Sequence, residues 1–319
     1  MKNFNELVNR ALQCPPKKVA VIAAHDPEVL ISIKEAYTIG LADSILYGDE
    51  QSIISIAEEV GINLEPHQVI HQPDLEKATR MAVAAIHEGT ADIVMKGKVT
   101  TQVVLKEVVH RERGLRDGNL LSHIALFEVP GFDHIMIISD AALNINPNLE
   151  QKIAMVKNAA EVAHQIGIEH PRVAIISGNE AVNPDMPSSI DAAILSKMAE
   201  RGQIQGCFVD GPLSLDLAIS EEAAIAKGVK GEVAGHADIL IMPNIDAANT
   251  LYKTISFLFR APLNGVIVGG KAPVIITSLA DLAQAKFYSI ALCVIIVTSK
   301  AGKGPPIRES TPRSVLSQT

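Results

Sequence analysis

Residues 206–220 read GCFVDGPLSLDLAIS and residues 231–260 read GEVAGHADILIMPNIDAANTLYKTISFLFR. Each holds a short apolar run, 207–209 and 237–242, that breaks into turn-forming residues: Asp210-Gly211-Pro212 after the first, Pro243-Asn244-Ile245-Asp246 after the second. Unbroken apolar runs of this length suit strands buried on both faces of a parallel sheet, and in open α/β sheets ligands bind beyond the carboxyl ends of such strands. The second run leads into a helix predicted over 246–260, with Asn249 in its first turn and Tyr252 and Lys253 one turn later. The amino end of a helix offers unpaired N–H groups to an anion. The stretch therefore predicts a site for a polar, negatively charged ligand.

Outward from it, the chain alternates. Towards the amino end, strands at 18–24, 44–47, 69–70 and 91–95 are interleaved with helices at 28–39, 50–60, 74–88 and 101–110. Pro27 suits a first helical turn, and Gly40, Gly61 and Gly89 close helices. Such alternation means a parallel sheet with right-handed crossovers. The runs at 124–129 and 134–139 are joined by Pro-Gly-Phe-Asp alone, a link too short for anything but an antiparallel hairpin. A mixed sheet near a domain junction is expected there. Helices at 148–166, 188–201 and 281–297 and strands at 173–176, 265–268 and 273–277 complete the pattern. The fold class is α/β, with mostly parallel sheets in three αβα layers.

Composition narrows the partners. A net charge of −8 over 319 residues argues against broad nucleic-acid or membrane-surface binding. With no Trp and 3% aromatics, few rings could stack on bases. Cys14, Cys207 and Cys293 are odd in number and far apart, which suits a reducing cytoplasm. Residues 1–13 lack the apolar centre of a signal peptide, and the apolar run around 289–297 is shorter than the roughly 18 residues a bilayer crossing needs. From 299 the chain reads KAGKGPPIRESTPRSVLSQT and is expected to be a disordered tail.

Several clusters could carry chemistry. Met95-Lys96-Gly97-Lys98-Val99-Thr100-Thr101 follows a strand and opens a helix, so its ammonium groups and hydroxyls suit a phosphate. Lys106, on the same helix, either reaches that cleft or is an ordinary surface lysine. Thr277-Ser278-Leu279-Ala280-Asp281 ends a strand and starts a helix. Ser278 either donates to an anion or, like Asp281, caps the helix. Gly265–Ala272 approaches a P-loop but lacks its Ser/Thr, and a strand follows instead of a helix. His67 and His71 are four apart with no third ligand near, so no metal is expected there. Ser122-His123 precedes the hairpin. Asp210, Glu221 and Asp246 could serve a metal-dependent dehydrogenase, yet no Gly-x-Gly-x-x-Gly follows any strand.

Taken together, Asp92-Ile-Val-Met-Lys-Gly-Lys-Val-Thr100, Gly114-Leu-Arg116, Leu121-Ser-His123, Val209-Asp-Gly-Pro-Leu213, Val233-Ala-Gly-His-Ala-Asp238 and Ala248-Asn-Thr-Leu-Tyr-Lys253 resemble the phosphate acyltransferases. Lys271-Ala-Pro, Thr277-Ser278 and Lys286-Phe-Tyr-Ser-Ile-Ala-Leu292 are similar to the butyryl branch. The resemblance covers about residues 17–296. It implies transfer of a short acyl group, butanoyl-CoA + phosphate = butanoyl phosphate + CoA, in a homo-oligomer that needs no cofactor beyond CoA as substrate. It also implies the two-domain fold of isocitrate and isopropylmalate dehydrogenases: a first unit of 1–139 plus 272–298 and an inserted unit of 140–271.

By that resemblance Ser278 stabilises the transition state, Lys106 stands at or near a phosphate-binding arginine, and Asp281 substitutes for an aspartate that relatives place seven residues past the serine, where this chain has Ala285. Lys96, Lys98, Thr100 and Thr101 line the anion site, with Ser122, His123 and Asp210 in matching motifs and Asn249 and Lys253 facing from the other unit. No cysteine stands in a matching position, which implies direct attack by phosphate in a ternary complex. One departure is marked. The family's Arg after the serine is Leu279 here, so a bidentate anion clamp is missing.

Overall fold

The computed structural model describes residues 1–278 and 280–302; Leu279 and 303–319 lie outside the described residues. The strands are β1 (Lys17–Ile22), β2 (Ala42–Gly48), β3 (Gln68–His71), β4 (Ile93–Lys96), β5 (Ser122–Phe127), β6 (Met136–Ser139), β7 (Arg172–Ile176), β8 (Phe208–Leu213), β9 (Ile239–Ile241), β10 (Leu263–Val268) and β11 (Val274–Ile275). The helices are α1 (Phe4–Ala11), α2 (Pro27–Thr38), α3 (Glu50–Glu59), α4 (Leu75–His87), α5 (Thr101–Val108), α6 (Leu149–Gln165), α7 (Pro187–Glu200), α8 (Leu215–Ile219), α9 (Glu221–Lys227), α10 (Ile245–Lys253) and α11 (Ala283–Lys300), with a π-helical turn, Thr254–Leu258, after α10.

The strands form one sheet in the order β3-β2-β1-β4-β11-β10-β5-β6-β9-β7-β8. Its two flanks are parallel, and β10 and β5 turn antiparallel at the centre. The expected hairpin is present, with Ala125 opposite Ile138. Local chemistry explains the elements. Asp26, Asp74, Asn148 and Asn244 cap α2, α4, α6 and α10, and Asn148 forms a capping box with Gln151.

Side chains alternate across the sheet, and the two faces differ. On one face Val19, Val21, Ile93, Ile124, Ile137, Val173, Ile239 and Val266 belong to a single core covered by α1, α2, α3, α6, α7 and α11. On the other, β1, β4 and β11 pack under α4 and α5, whereas β6, β7 and β9 pack under α8, α9 and α10, in two separate clusters. This second face parts near the sheet centre, and a cleft opens there. Helix α11 buries 14 of its 18 residues, as an apolar helix at the middle of a layer should.

Three expectations change. The first strand of the opening stretch does not end at Asp210-Gly211-Pro212; β8 runs through all three to Leu213, with a register shift against β7. Proline is tolerated because β8 is the sheet edge. The helix predicted to reach 260 stops being α-helical at Lys253. At the carboxyl end, α11 continues through Lys300 into the segment read as tail.

Candidate active site

The cleft is a cavity of about 180 Å³ walled by Thr101 from α5, His123 from β5, Ala141 and Ala142, Asn249, Tyr252 and Lys253 from α10, and Ile276, Thr277 and Ser278 beyond β11. A larger hollow of about 340 Å³ is lined by Asp281, Phe257, Ala261, Leu263 and Tyr288 among others. Polar groups converge in the smaller one.

Its centre is the serine turn. The Ser278 N–H donates to the Asp281 carboxylate at 2.7 Å, and the Asp281 N–H donates to the Ser278 carbonyl at 3.1 Å. The Ser278 hydroxyl oxygen accepts from the Ala280 N–H at 3.3 Å. Among the described residues its hydrogen has no acceptor, so the hydroxyl remains able to donate. Asp281 is 8% exposed and faces Tyr252 and His123. Burial, and then the Asp281 charge, push the Tyr252 phenol far above its ordinary value, so it stays a hydrogen-bond donor. Burial holds His123 below its ordinary value against the opposing charges of Asp140 and Asp281, which favours a neutral ring. Its Nδ1 has no partner among the described residues.

Asp140 fixes the rim. Its carboxylate accepts from the N–H groups of His123, Ala142 and Leu143 at 2.8, 2.9 and 2.8 Å and from the Asn144 amide at 2.6 Å. Asn249 donates to the Ala141 carbonyl at 3.0 Å, tying α10 to the same loop. The Lys253 ammonium lies 5.2 Å from the ring centres of Tyr252 and Phe257.

Lys96 lies beneath. It is 3% exposed, and its ammonium donates to the carbonyls of Thr277 at 3.3 Å and Gly97 at 3.4 Å. Burial, and then the neighbouring Lys286 charge, bring its pKa down to about 8, with Asp26 and Asp281 opposing. Gly97 is required by packing, since a Cβ there would meet the carbonyl oxygens of Ala23 and Ile22 at 2.4 and 2.5 Å.

The cleft thus gathers Thr101, His123, Asn249, Lys253 and Ser278, with Asp281 and Lys96 against it. Five other candidates are elsewhere. Lys106 is exposed and donates to Glu76 at 3.1 Å; five residues beyond Thr101, it points about 140° away around α5. Thr100 caps α5 through the Val103 N–H. Lys98 is exposed near His25, whose pKa burial and the Lys98 charge lower. Ser122 is fully buried and accepts from Asn158 at 2.9 Å. Asp210, on the edge strand, accepts from the Ser196 hydroxyl at 3.3 Å and the Gly211 N–H at 2.8 Å. Leu279, the departure from the family pattern, lies outside the described residues.

Sequence reasoning assigned no role in the site to Tyr252, Asp140 or Lys286. A signal existed for two of them. Asn249, Tyr252 and Lys253 are spaced i, i+3, i+4 and share one helix face. Lys286 is a lone charge inside an apolar helical run.

A mostly parallel sheet with hydroxyls, lysines and a buried carboxylate converging where one face parts defines an α/β protein with a polar cleft. Residues 70–294 match the family described as "Phosphate acetyl/butaryl transferase", and the chain belongs to that family. It is 47% identical over 300 residues to a phosphate butyryltransferase of Clostridium acetobutylicum, covering 94% of this chain and 100% of that protein. It is 45% identical to a phosphate acetyltransferase of Thermotoga maritima, covering 88% and 95%. A branched-chain phosphotransacylase from Enterococcus faecalis V583 superposes with a TM-score of 0.77 at 35% identity, covering 88% of this chain and 99% of that one.

Proposed function

We propose that this protein moves a short acyl group between CoA and inorganic phosphate: butanoyl-CoA + phosphate = butanoyl phosphate + CoA. Phosphate oxygen attacks the thioester carbonyl, a tetrahedral oxyanion forms, and the carbon–sulfur bond breaks to release CoA as its thiolate, which then takes a proton. The observation that carries this is the Ser278 hydroxyl, held with its hydrogen unclaimed among the described residues over a cleft that also presents Thr101 and Lys253.

Each residue has work in that reaction. Ser278 donates to the oxyanion, where one aimed donor is worth several kcal/mol. Asp281 fixes the serine through its backbone, and Tyr252 holds Asp281. Lys253 and Thr101 seat the phosphate, which must approach a CoA that is itself anionic. No cysteine lines the cleft. Burial pushes the Cys207 thiol up to about 11 and raises Cys293 well above its ordinary value, so neither is a ready nucleophile. These observations support direct transfer without an acyl-enzyme. CoA enters as a substrate, and the reaction as written calls for no metal or further cofactor.

We divide the chain into a first unit, 1–139 plus 272–298, and an inserted unit, 140–271. The working form is a cytoplasmic homo-oligomer of this chain with small-molecule partners; among the described residues no helix is long and apolar enough to cross a membrane. Thiol release followed with DTNB tests the function across acetyl-, propionyl-, butyryl- and isobutyryl-CoA. Phosphate-dependent release is expected. Release that ignores phosphate, or none with any of the four, overturns the proposal.

A further inference from the structure

The cleft alone cannot hold an acyl-CoA. Sites that enclose a small organic ligand run to about 300–1,000 Å³. The cleft, at about 180 Å³, has room for a phosphate and a reacting carbonyl but not for the long arm of CoA. The hollow of about 340 Å³ continues from it along the same two walls. On one side, α10 gives Asn249, Tyr252 and Lys253 to the cleft, and the π-helical turn that extends it gives Ser256 and Phe257 to the hollow. On the other, the serine turn gives Ser278 to the cleft and Ala280 and Asp281 to the hollow. The Ala280 N–H, donating to the Ser278 hydroxyl oxygen at 3.3 Å, ties the two together.

The hollow has mostly apolar walls and a single cation. Ala261, Leu263, Ala285 and Tyr288 are buried against it, whereas Phe257 is 55% exposed and marks its rim. Arg260 lines it, is exposed, and forms no salt bridge among the described residues. Asp281 is the one carboxylate in the lining; it is 8% exposed and accepts from the Ser278 N–H at 2.7 Å, so it leaves the guanidinium unclaimed. Arg260 also has φ +50°, in the left-handed region that residues other than glycine seldom adopt. Such conformations, like π-helical turns, concentrate at functional sites.

We propose that this hollow receives the pantetheine arm of the acyl-CoA, with the Arg260 guanidinium at its rim taking a phosphate group of the CoA nucleotide. The proposal rests on the acyl-transfer function above and adds the direction in which CoA lies. The thioester carbonyl meets Ser278, inorganic phosphate approaches from the Thr101 and Lys253 side, and the arm leaves past Ala280 and Phe257. The methyl and methylene groups of the arm suit the apolar walls, and a guanidinium matches a phosphate in a paired, planar contact. A short acyl chain carries no group for that guanidinium to bind.

The test compares two thioesters, butanoyl-CoA and butanoyl-pantetheine, which lacks the phosphates and the nucleotide; DTNB detects the thiol released from either. In Arg260→Gln the KM for butanoyl-CoA should rise about five- to tenfold at low salt, as for loss of one charge-assisted contact. The KM values for butanoyl-pantetheine and for phosphate should change less than about twofold. The defect should shrink as KCl rises from about 0.05 M to about 0.5 M, because the contact is exposed and screened. Arg260→Lys keeps the charge and should recover part of the loss. Gln284→Trp, at an exposed position in the lining, narrows the hollow and should raise the KM of both thioesters while sparing that of phosphate. An unchanged butanoyl-CoA KM in Arg260→Gln, both thioesters affected equally by it, or a raised phosphate KM overturns the proposal. So does a changed oligomeric mass in Arg260→Gln, which would make the hollow a contact between subunits. Failure of the function itself would look different, as absence of phosphate-dependent thiol release from either thioester in wild type.

Discussion

Replacing Ser278 by alanine removes one hydroxyl and little else. Its oxygen accepts a single hydrogen bond, from the Ala280 N–H at 3.3 Å, near the surface. The stronger tie, from the Ser278 N–H to the Asp281 carboxylate at 2.7 Å, belongs to the backbone and survives in alanine. Loss of the weak bond costs about 0.5–1 kcal/mol of stability, a melting shift of ~2 °C for a chain of this length. The catalytic loss should be far larger. Removing one preorganised donor from an oxyanion site costs about 3 kcal/mol, or ~10²-fold in turnover. The assay is DTNB-detected thiol release from butanoyl-CoA at saturating phosphate, with both KM values measured so that a binding defect is not mistaken for a chemical one. A hydroxyl that acts in the transition state lowers kcat and leaves KM nearly alone. If turnover falls less than about twofold, the hydroxyl is a local cap and the proposed mechanism is wrong, however much the melting point moves.

Tyr252→Phe removes the hydroxyl facing buried Asp281; stability should fall by about 1–2 kcal/mol and turnover several-fold with the phosphate KM unchanged, and kinetics equal to wild type would show that Asp281 does not depend on it. Lys106→Ala breaks an exposed pair with Glu76, whose partners are 68% and 59% exposed, so steady-state activity should stay within about twofold; a large loss would return Lys106 to the phosphate site. Lys96→Met should stabilise the fold near neutral pH. The folded-state pKa of Lys96 is depressed from 10.5 to about 8, so the unfolded chain binds this proton more tightly and wild type carries a penalty of up to about 3 kcal/mol at pH 7. That penalty disappears as pH rises from about 8 through 10.5, so the melting advantage of the variant should shrink over that window. An advantage that does not shrink would mean that Lys96 is not strained by burial.

Much of the fold was legible because β-α alternation is written in local patterns. Strands 18–24 and 91–95, the capped helix at 74–88 and the four-residue hairpin link each rest on neighbours in sequence. The departures came from tertiary context. Whether Asp210-Gly211-Pro212 ends a strand depends on whether that strand is an edge, and nothing in the stretch says so. The candidate site was legible where spacing fixes a face: Asn249 and Lys253 share one, and Ser278 ends a strand. Lys106 and Thr101 lie on one short helix but on different faces; the resemblance to the family, not the helix pattern, joined Lys106 to the phosphate site. Ser122 and His123 are adjacent, yet strand alternation sends one to Asn158 and the other to the cleft. Lys96 ends β4 and is buried, whereas Lys98 lies in the loop before α5 and is exposed.

The uneven packing of the two sheet faces explains why a site can form here without loosening the molecule. Opening a cleft in a sheet protein exposes backbone ends and polar side chains that would otherwise need partners. Here the opening is confined to one face, where the clusters under α4–α5 and α8–α10 part. The opposite face remains one core from β2 to β7, bridged by α11 and α6. Thr101 and Ser278 from one side, and Asn249, Tyr252 and Lys253 from the other, are therefore held to a common floor. His123 joins them from β5, which pairs with β10 on one side and β6 on the other. The same rigidity lets the molecule tolerate Lys96 and Lys286 below the serine: an ammonium that cannot reach water keeps its place only when the surrounding packing prevents it from swinging out. A substitution such as Val266→Ala, on the continuous face of β10 between β5 and β11, should thus loosen both walls of the cleft together, whereas one under α9 should leave Ser278 undisturbed.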